Sequence, residues 1–96
     1  MNYKYNEKEI IDNLMKMIDS TYQQHYAGNE WIQVNDLLMD DGSFFGFAKG
    51  NIVKYISRFG KKDGKKLDDL YKALHYTVLL VYYAEHYLTK GEQDDE

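Results

Sequence analysis

The chain has no cysteine and no proline, and it carries no surplus of positive charge. Without thiols there is neither a disulfide framework nor a thiolate metal site, so a reducing compartment is the expected setting. Without proline, every break between elements falls to glycine and to short polar residues. Long apolar runs are missing too. The longest, Val78 to Ala84, falls far short of the ~20 residues that span a bilayer, and polar Asn2-Tyr3-Lys4 after Met1 offers no signal segment. A cytoplasmic protein without a membrane partner is expected. What the chain does have is 44% hydrophobic and 16% aromatic content, with ten tyrosines in 96 residues. That composition folds. It makes one domain over residues 1–96, of a size that buries only about 60–65% of its unfolded surface.

The net charge of −4 hides an asymmetry. Between Lys49 and Lys66 stand seven cations and one anion, a net +6, so the remainder carries −10. So acidic a chain is a poor general DNA binder, because non-specific affinity comes from neutralising many phosphates. A local basic patch suits a small, concentrated anion. The alternative is that the loop lysines Lys61, Lys62, Lys65 and Lys66 only solvate a turn.

Hydrophobic spacing predicts an all-α bundle of about four helices. The first, residues 6–25, opens at Asn6 with Glu9 three residues on, as in a capping box, and carries Ile10, Ile11, Leu14, Met17, Ile18 and Tyr22. The second starts near Asn29 with Trp31, Val34 and Leu38 on one side, and stops at Asp40-Asp41-Gly42-Ser43. The third runs from about Phe44 to Phe59, with an expected core arc of Phe45, Ala48, Ile52, Tyr55, Ile56 and Phe59. Two glycines, Gly60 and Gly64, then break the chain. The fourth begins near Leu67, where Asp68 and Asp69 suit the positive end of the helix dipole, and ends at Gly91 before an acidic tail, 91–96. This last helix is apolar on three sides, more than three short partners can cover, and predicts a homo-oligomer packed through it.

Asn51, Lys54 and Arg58 stand at i, i+3 and i+7, one ridge of the third helix. A guanidinium fork, a mobile ammonium and an amide beside a groove can hold a phosphate. Gly46 and Gly50 would let a ligand or a neighbouring helix approach the backbone. Alternatively, Lys54 and Arg58 pair with the acidic remainder. Other chemistry is thin. Gly60-Lys61-Lys62-Asp63-Gly64-Lys65-Lys66 is one residue short of a P-loop, with no Ser or Thr after its lysine and no buried strand before it. His75 and His86 sit about three turns apart on one helix and cannot share a metal within one chain. Trp31 reads as a core residue, with base stacking as the lesser alternative.

The stretch Phe47-Ala48-Lys49-Gly50-Asn51-Ile52-Val53-Lys54-Tyr55-Ile56-Ser57-Arg58-Phe59-Gly60-Lys61-Lys62 resembles the signature of a family of small phage proteins of unknown function described as nucleotide-kinase-like. Asp68-Asp69-Leu70-Tyr71-Lys72-Ala73-Leu74-His75-Tyr76 is similar to its later element, and His25-Tyr26-Ala27-Gly28-Asn29-Glu30 to its opening. The likeness covers about residues 25–82, with residues 29–90 as the family-like helical core and the first helix, 6–25, as an addition. Gln33 stands where that family usually has an Asp.

The resemblance implies an oligomeric nucleotide-binding protein, cytoplasmic in an infected bacterial host. His25, Tyr26, Asn51, Lys54, Arg58 and Lys72 would bind the nucleotide and its phosphates. Glu30 and Asp69 would be the catalytic carboxylates, with Mg2+ as cofactor if a deoxynucleoside monophosphate is phosphorylated. Whether it is an enzyme stays open. The alternative is a non-catalytic sponge for nucleotides, including cyclic signalling nucleotides of antiviral defence. A third reading is an acidic inhibitor acting through protein contact.

Overall fold

At Asp40-Asp41-Gly42-Ser43 the chain turns as its residues dictate. Gly42 takes φ 85°, a left-handed conformation that glycine adopts without steric cost. Its N–H donates to the Met39 carbonyl at 3.4 Å, and the Ser43 N–H reaches the Leu38 carbonyl at 3.0 Å and the Asp41 carboxylate at 2.9 Å. The helix before this turn and the one after it are thereby set at an angle.

The computed structural model describes residues 1–25, 30–61 and 66–88, with the backbone alone at His25. Four helices follow one another: α1 Glu7–His25, α2 Glu30–Asp41, α3 Phe44–Lys61 and α4 Leu67–Tyr83, the last prolonged by a π-helical turn, Ala84–Leu88. No strand occurs among the described residues, so the fold is a small all-α bundle. The expected end of the last helix at Gly91, and the acidic tail, lie outside the described residues.

The core sits where the end of α2, the start of α3 and the end of α4 converge. Phe44 is fully buried, in contact with Tyr83 (5.6 Å between ring centroids) and Phe47 (5.9 Å), and Met39 and Ala48 close the cluster. Phe47 in turn meets Tyr76 edge-on at 5.8 Å. The Tyr87 hydroxyl donates to Asp40 at 3.2 Å and ties the end of α4 to the end of α2. α1 adds little to this, burying only Leu14 against the bundle.

Four local expectations are corrected. Asn6 does not form a capping box with Glu9. It adopts φ 58°, which turns its side chain from the helix N–H groups, and Glu7 instead accepts the Tyr5 N–H at 3.0 Å. On α2, Val34 faces solvent, and the inward side runs Trp31, Asn35, Met39. On α3 the core face is rotated from the expected arc. Phe45 and Ile56 are 54% and 53% exposed, while Phe44, Ala48, Asn51, Tyr55 and Arg58 line the inner stripe. No neighbouring helix approaches Gly46 or Gly50: a Cβ on either would meet nothing within 4 Å.

Much apolar surface stays uncovered. On α4, Leu67, Leu74, Val81 and Leu88 recur every seventh residue, all exposed. The radius of gyration is 15.4 Å, against about 12.5 Å for a compact chain of this length. The accessible surface is 7516 Å², against about 5,800 Å² for a compact chain of this mass.

Phe44 carries the junction of three helices, so Phe44→Ala is expected to lower unfolding stability by about 3–5 kcal/mol. A urea titration followed by circular dichroism checks this, and a loss below about 1 kcal/mol would place the core elsewhere.

Candidate functional site

The inner stripe of α3 has two halves. Its first turns are the core. Further along, the same stripe carries Tyr55, and cations gather on its ring. Lys54 Nζ lies 4.4 Å from the ring centroid, Arg58 Cζ 5.4 Å, and Lys72 Nζ, reaching across from α4, 5.5 Å. Tyr55 is itself stacked on Tyr76 of α4, 6.2 Å away and 21° from parallel. The negative face of a phenol ring attracts each cation. It does not neutralise three.

One carboxylate answers them. Asp69, buried in the first turn of α4, places Oδ1 3.9 Å from Arg58 Nη1. Lys54 and Lys72 have no ion pair among the described residues. Like charges held this close raise the local potential, and half-exposed side chains leave it open to an anion from solvent.

The predicted site residues divide accordingly. Lys54, Arg58, Lys72 and Asp69 are brought together at Tyr55. Asn51 lies on the same stripe, but its Nδ2 donates to the Phe47 carbonyl of its own helix at 2.9 Å, so its donor is turned away from any ligand. Glu30 is exposed in the first turn of α2 and has no ion pair or hydrogen bond with the cluster. The His25 side chain and Tyr26 lie outside the described residues, as does most of the loop Lys62–Lys65. No group of three or more His, Asp or Glu side chains is placed to hold a metal ion among the described residues.

Beside the cation cluster, and sharing Tyr55 and Lys72 with it, opens a cleft of 300 Å³. Thr21 and Gln24 of α1, Trp31 of α2 and His75 of α4 complete most of its wall. Trp31 and His75 stand 5.7 Å apart, tilted at 49°. His75 is 6% exposed. Burial disfavours its charged form and holds its pKa below the ordinary 6.5, so the ring is neutral at pH 7. Burial, and then the neighbouring Tyr55, raise the Tyr76 hydroxyl above the usual tyrosine range. A charged rim and an aromatic cleft can together take a ligand with an anionic group and a flat ring.

Sequence spacing found Lys54 and Arg58, the resemblance added Lys72, and both missed the platform, since Tyr55 reads as an ordinary core residue at helical spacing. A usable signal was present: a tyrosine flanked by cations at i−1 and i+3. Trp31 and His75 gave no comparable signal, because the wall they form depends on how α2 meets α4.

Residues 19–78 match the family described as protein of unknown function, DUF3310, and the chain belongs to that family. This corrects the resemblance to a nucleotide-kinase-like family. The matching family has no stated activity, and nothing links it to such kinases. No curated protein and no solved structure matches the chain. Among the described residues, no helix is long and apolar enough to cross a membrane.

The buried His75 makes stability depend on pH. Its folded pKa lies below its unfolded value, so the unfolded chain binds the extra proton first. Stability is complete above about pH 6.5 and falls as pH drops from there towards the folded pKa. Unfolding midpoints measured between pH 8 and 5 should decline for the native protein and decline less for His75→Gln. Parallel profiles would remove His75 from the account.

Proposed function

We propose that this DUF3310 protein binds a nucleotide through its phosphates at the Tyr55 cluster and holds it without turnover. The observation that carries the reading is the excess of charge: Lys54, Arg58 and Lys72 converge on one ring, with Asp69 as the single carboxylate in ion-pair range among the described residues. A phosphate is the compact anion that such a set favours, with Arg58 as a fork and two lysines as mobile charges. The adjoining cleft, walled by Trp31, Tyr55 and His75, offers flat surfaces for the remainder of a nucleotide.

Sequestration is favoured over phosphoryl transfer by the fate of the carboxylates. Asp69 is turned to Arg58 and Glu30 stands apart, so the pair expected to serve a transfer reaction does not converge.

The assembly belongs to the same proposal. The heptad-spaced stripe Leu67, Leu74, Val81, Leu88, flanked by Leu70, Thr77 and Ala84, has the a/d pattern of a helix seam. A second copy of α4 presents the same stripe. The difference between the actual surface and that of a compact chain, on the order of 1,700 Å² for one chain, exceeds the ~800 Å² per partner that an ordinary stable interface buries.

Two measurements test this. In calorimetric titration with a panel of nucleoside mono-, di- and triphosphates, at least one should bind and be recovered intact. Arg58→Ala and Lys72→Ala should each weaken it about 10–100-fold, the range lost with one charge-assisted hydrogen bond. No binding to any member, or equal affinity in both variants, would refute the phosphate site. For the assembly, Val81→Asp should convert an oligomer to monomer in sedimentation velocity, and a native protein already monomeric would refute the seam.

A further inference from the structure

A second cavity, of 420 Å³, lies on the other side of Trp31 between α2 and α4. Its walls are apolar and aromatic: Trp31, Ile32, Met39, Leu79 and Tyr82. One residue does not fit such walls. Asn35 is 6% exposed and lines this cavity, and its side chain makes no hydrogen bond among the described residues. No fully sealed side-chain nitrogen or oxygen is left without a partner, so the Asn35 amide atoms are accessible and free to pair with a ligand.

We infer that this cavity binds an uncharged, planar heteroaromatic ring whose edge carries a donor next to an acceptor, of the purine or pyrimidine kind. A carboxamide pairs with such an edge through two parallel hydrogen bonds. The flat walls match the ring faces. Tyr22 meets Trp31 edge-on at 5.7 Å and 83°, and so braces the indole that the ring would contact. Charge argues for a neutral ligand. The cavity holds no cation, and Asp36 lies at its lining, so a phosphate is repelled. The site therefore differs in kind from the Tyr55 cluster, although Trp31 and Leu79 line both this cavity and the cleft beside that cluster.

Trp31 is the single tryptophan of the chain and lines both cavities, so its fluorescence reports on either, and the Asn35 variants assign the signal, because Asn35 lines this cavity alone. The probes are adenosine and thymidine, which carry no phosphate, with inorganic pyrophosphate as the independent probe of the cation cluster. At least one nucleoside should quench Trp31 saturably. Asn35→Leu, which keeps the bulk and removes the amide, should weaken that nucleoside at least tenfold and leave pyrophosphate affinity unchanged. Asn35→Asp, close in shape but without the donor, should weaken it as well. Absence of saturable quenching by either nucleoside, or undiminished affinity in Asn35→Asp, would overturn the inference. Failure of pyrophosphate to bind would count against the phosphate site alone.

Discussion

Three positive charges held against one aromatic ring, with a single acid to balance them among the described residues, set the terms for the rest of this protein. The ring face offsets part of their repulsion, and solvent screens part of it. Neither removes the excess. The cluster can persist only because its members come from fixed places: Lys54 and Arg58 from successive turns of α3, and Lys72 from α4, whose first turn is held to Arg58 through the buried Asp69. On the proposed reading, a bound phosphate would offset the remaining repulsion.

The core and the cluster are two ends of one helical stripe. Phe44, Phe47 and Ala48 fix the rotation of α3 by packing on Met39 and Tyr83, and that rotation turns Tyr55 and Arg58 towards α4. The stacking of Tyr55 on Tyr76 then continues the same interface down to the charged end. Packing energy gathered at Phe44 thus positions groups several turns away. The uncovered stripe on α4 completes this economy of small size, since a chain of 96 residues has more apolar surface than its own helices can cover.

Much of the architecture was legible in the sequence. The stop at Asp40-Asp41-Gly42-Ser43 and the start of α4 near Leu67 follow from local chemistry, and local chemistry does not depend on the partner helices. The rotation of α3 was not legible. Apolar residues occur on both sides of it, with Phe44 and Phe47 on one side and Phe45 and Ile56 on the other. Periodicity alone leaves the choice open, and contact with Met39 and Tyr83 decides it. Among site residues, Lys54 and Arg58 were readable from their spacing, and Lys72 came only from the resemblance. Spacing could not show that the Asn51 amide nitrogen is engaged on the carbonyl four residues back. Asn35 sits at ordinary spacing on α2, and only the assembled cavity brings its side chain to notice. The motif around Gly50 and Asn51 identifies kinship. It carries no chemistry by itself, because a family pattern on a helix records packing as readily as it records function.

The central claim is that the Tyr55 cluster holds a phosphate. It is tested most directly by following the Arg58 guanidinium and the Lys54 and Lys72 ammonium signals by nitrogen-edited NMR during titration with inorganic pyrophosphate. The account predicts that all three shift together and saturate with one common dissociation constant, while the Lys8 signal, paired with Asp12 on α1, stays where it is. Signals that remain still, or that drift without saturation alongside Lys8, would show that these cations share a ring and nothing more.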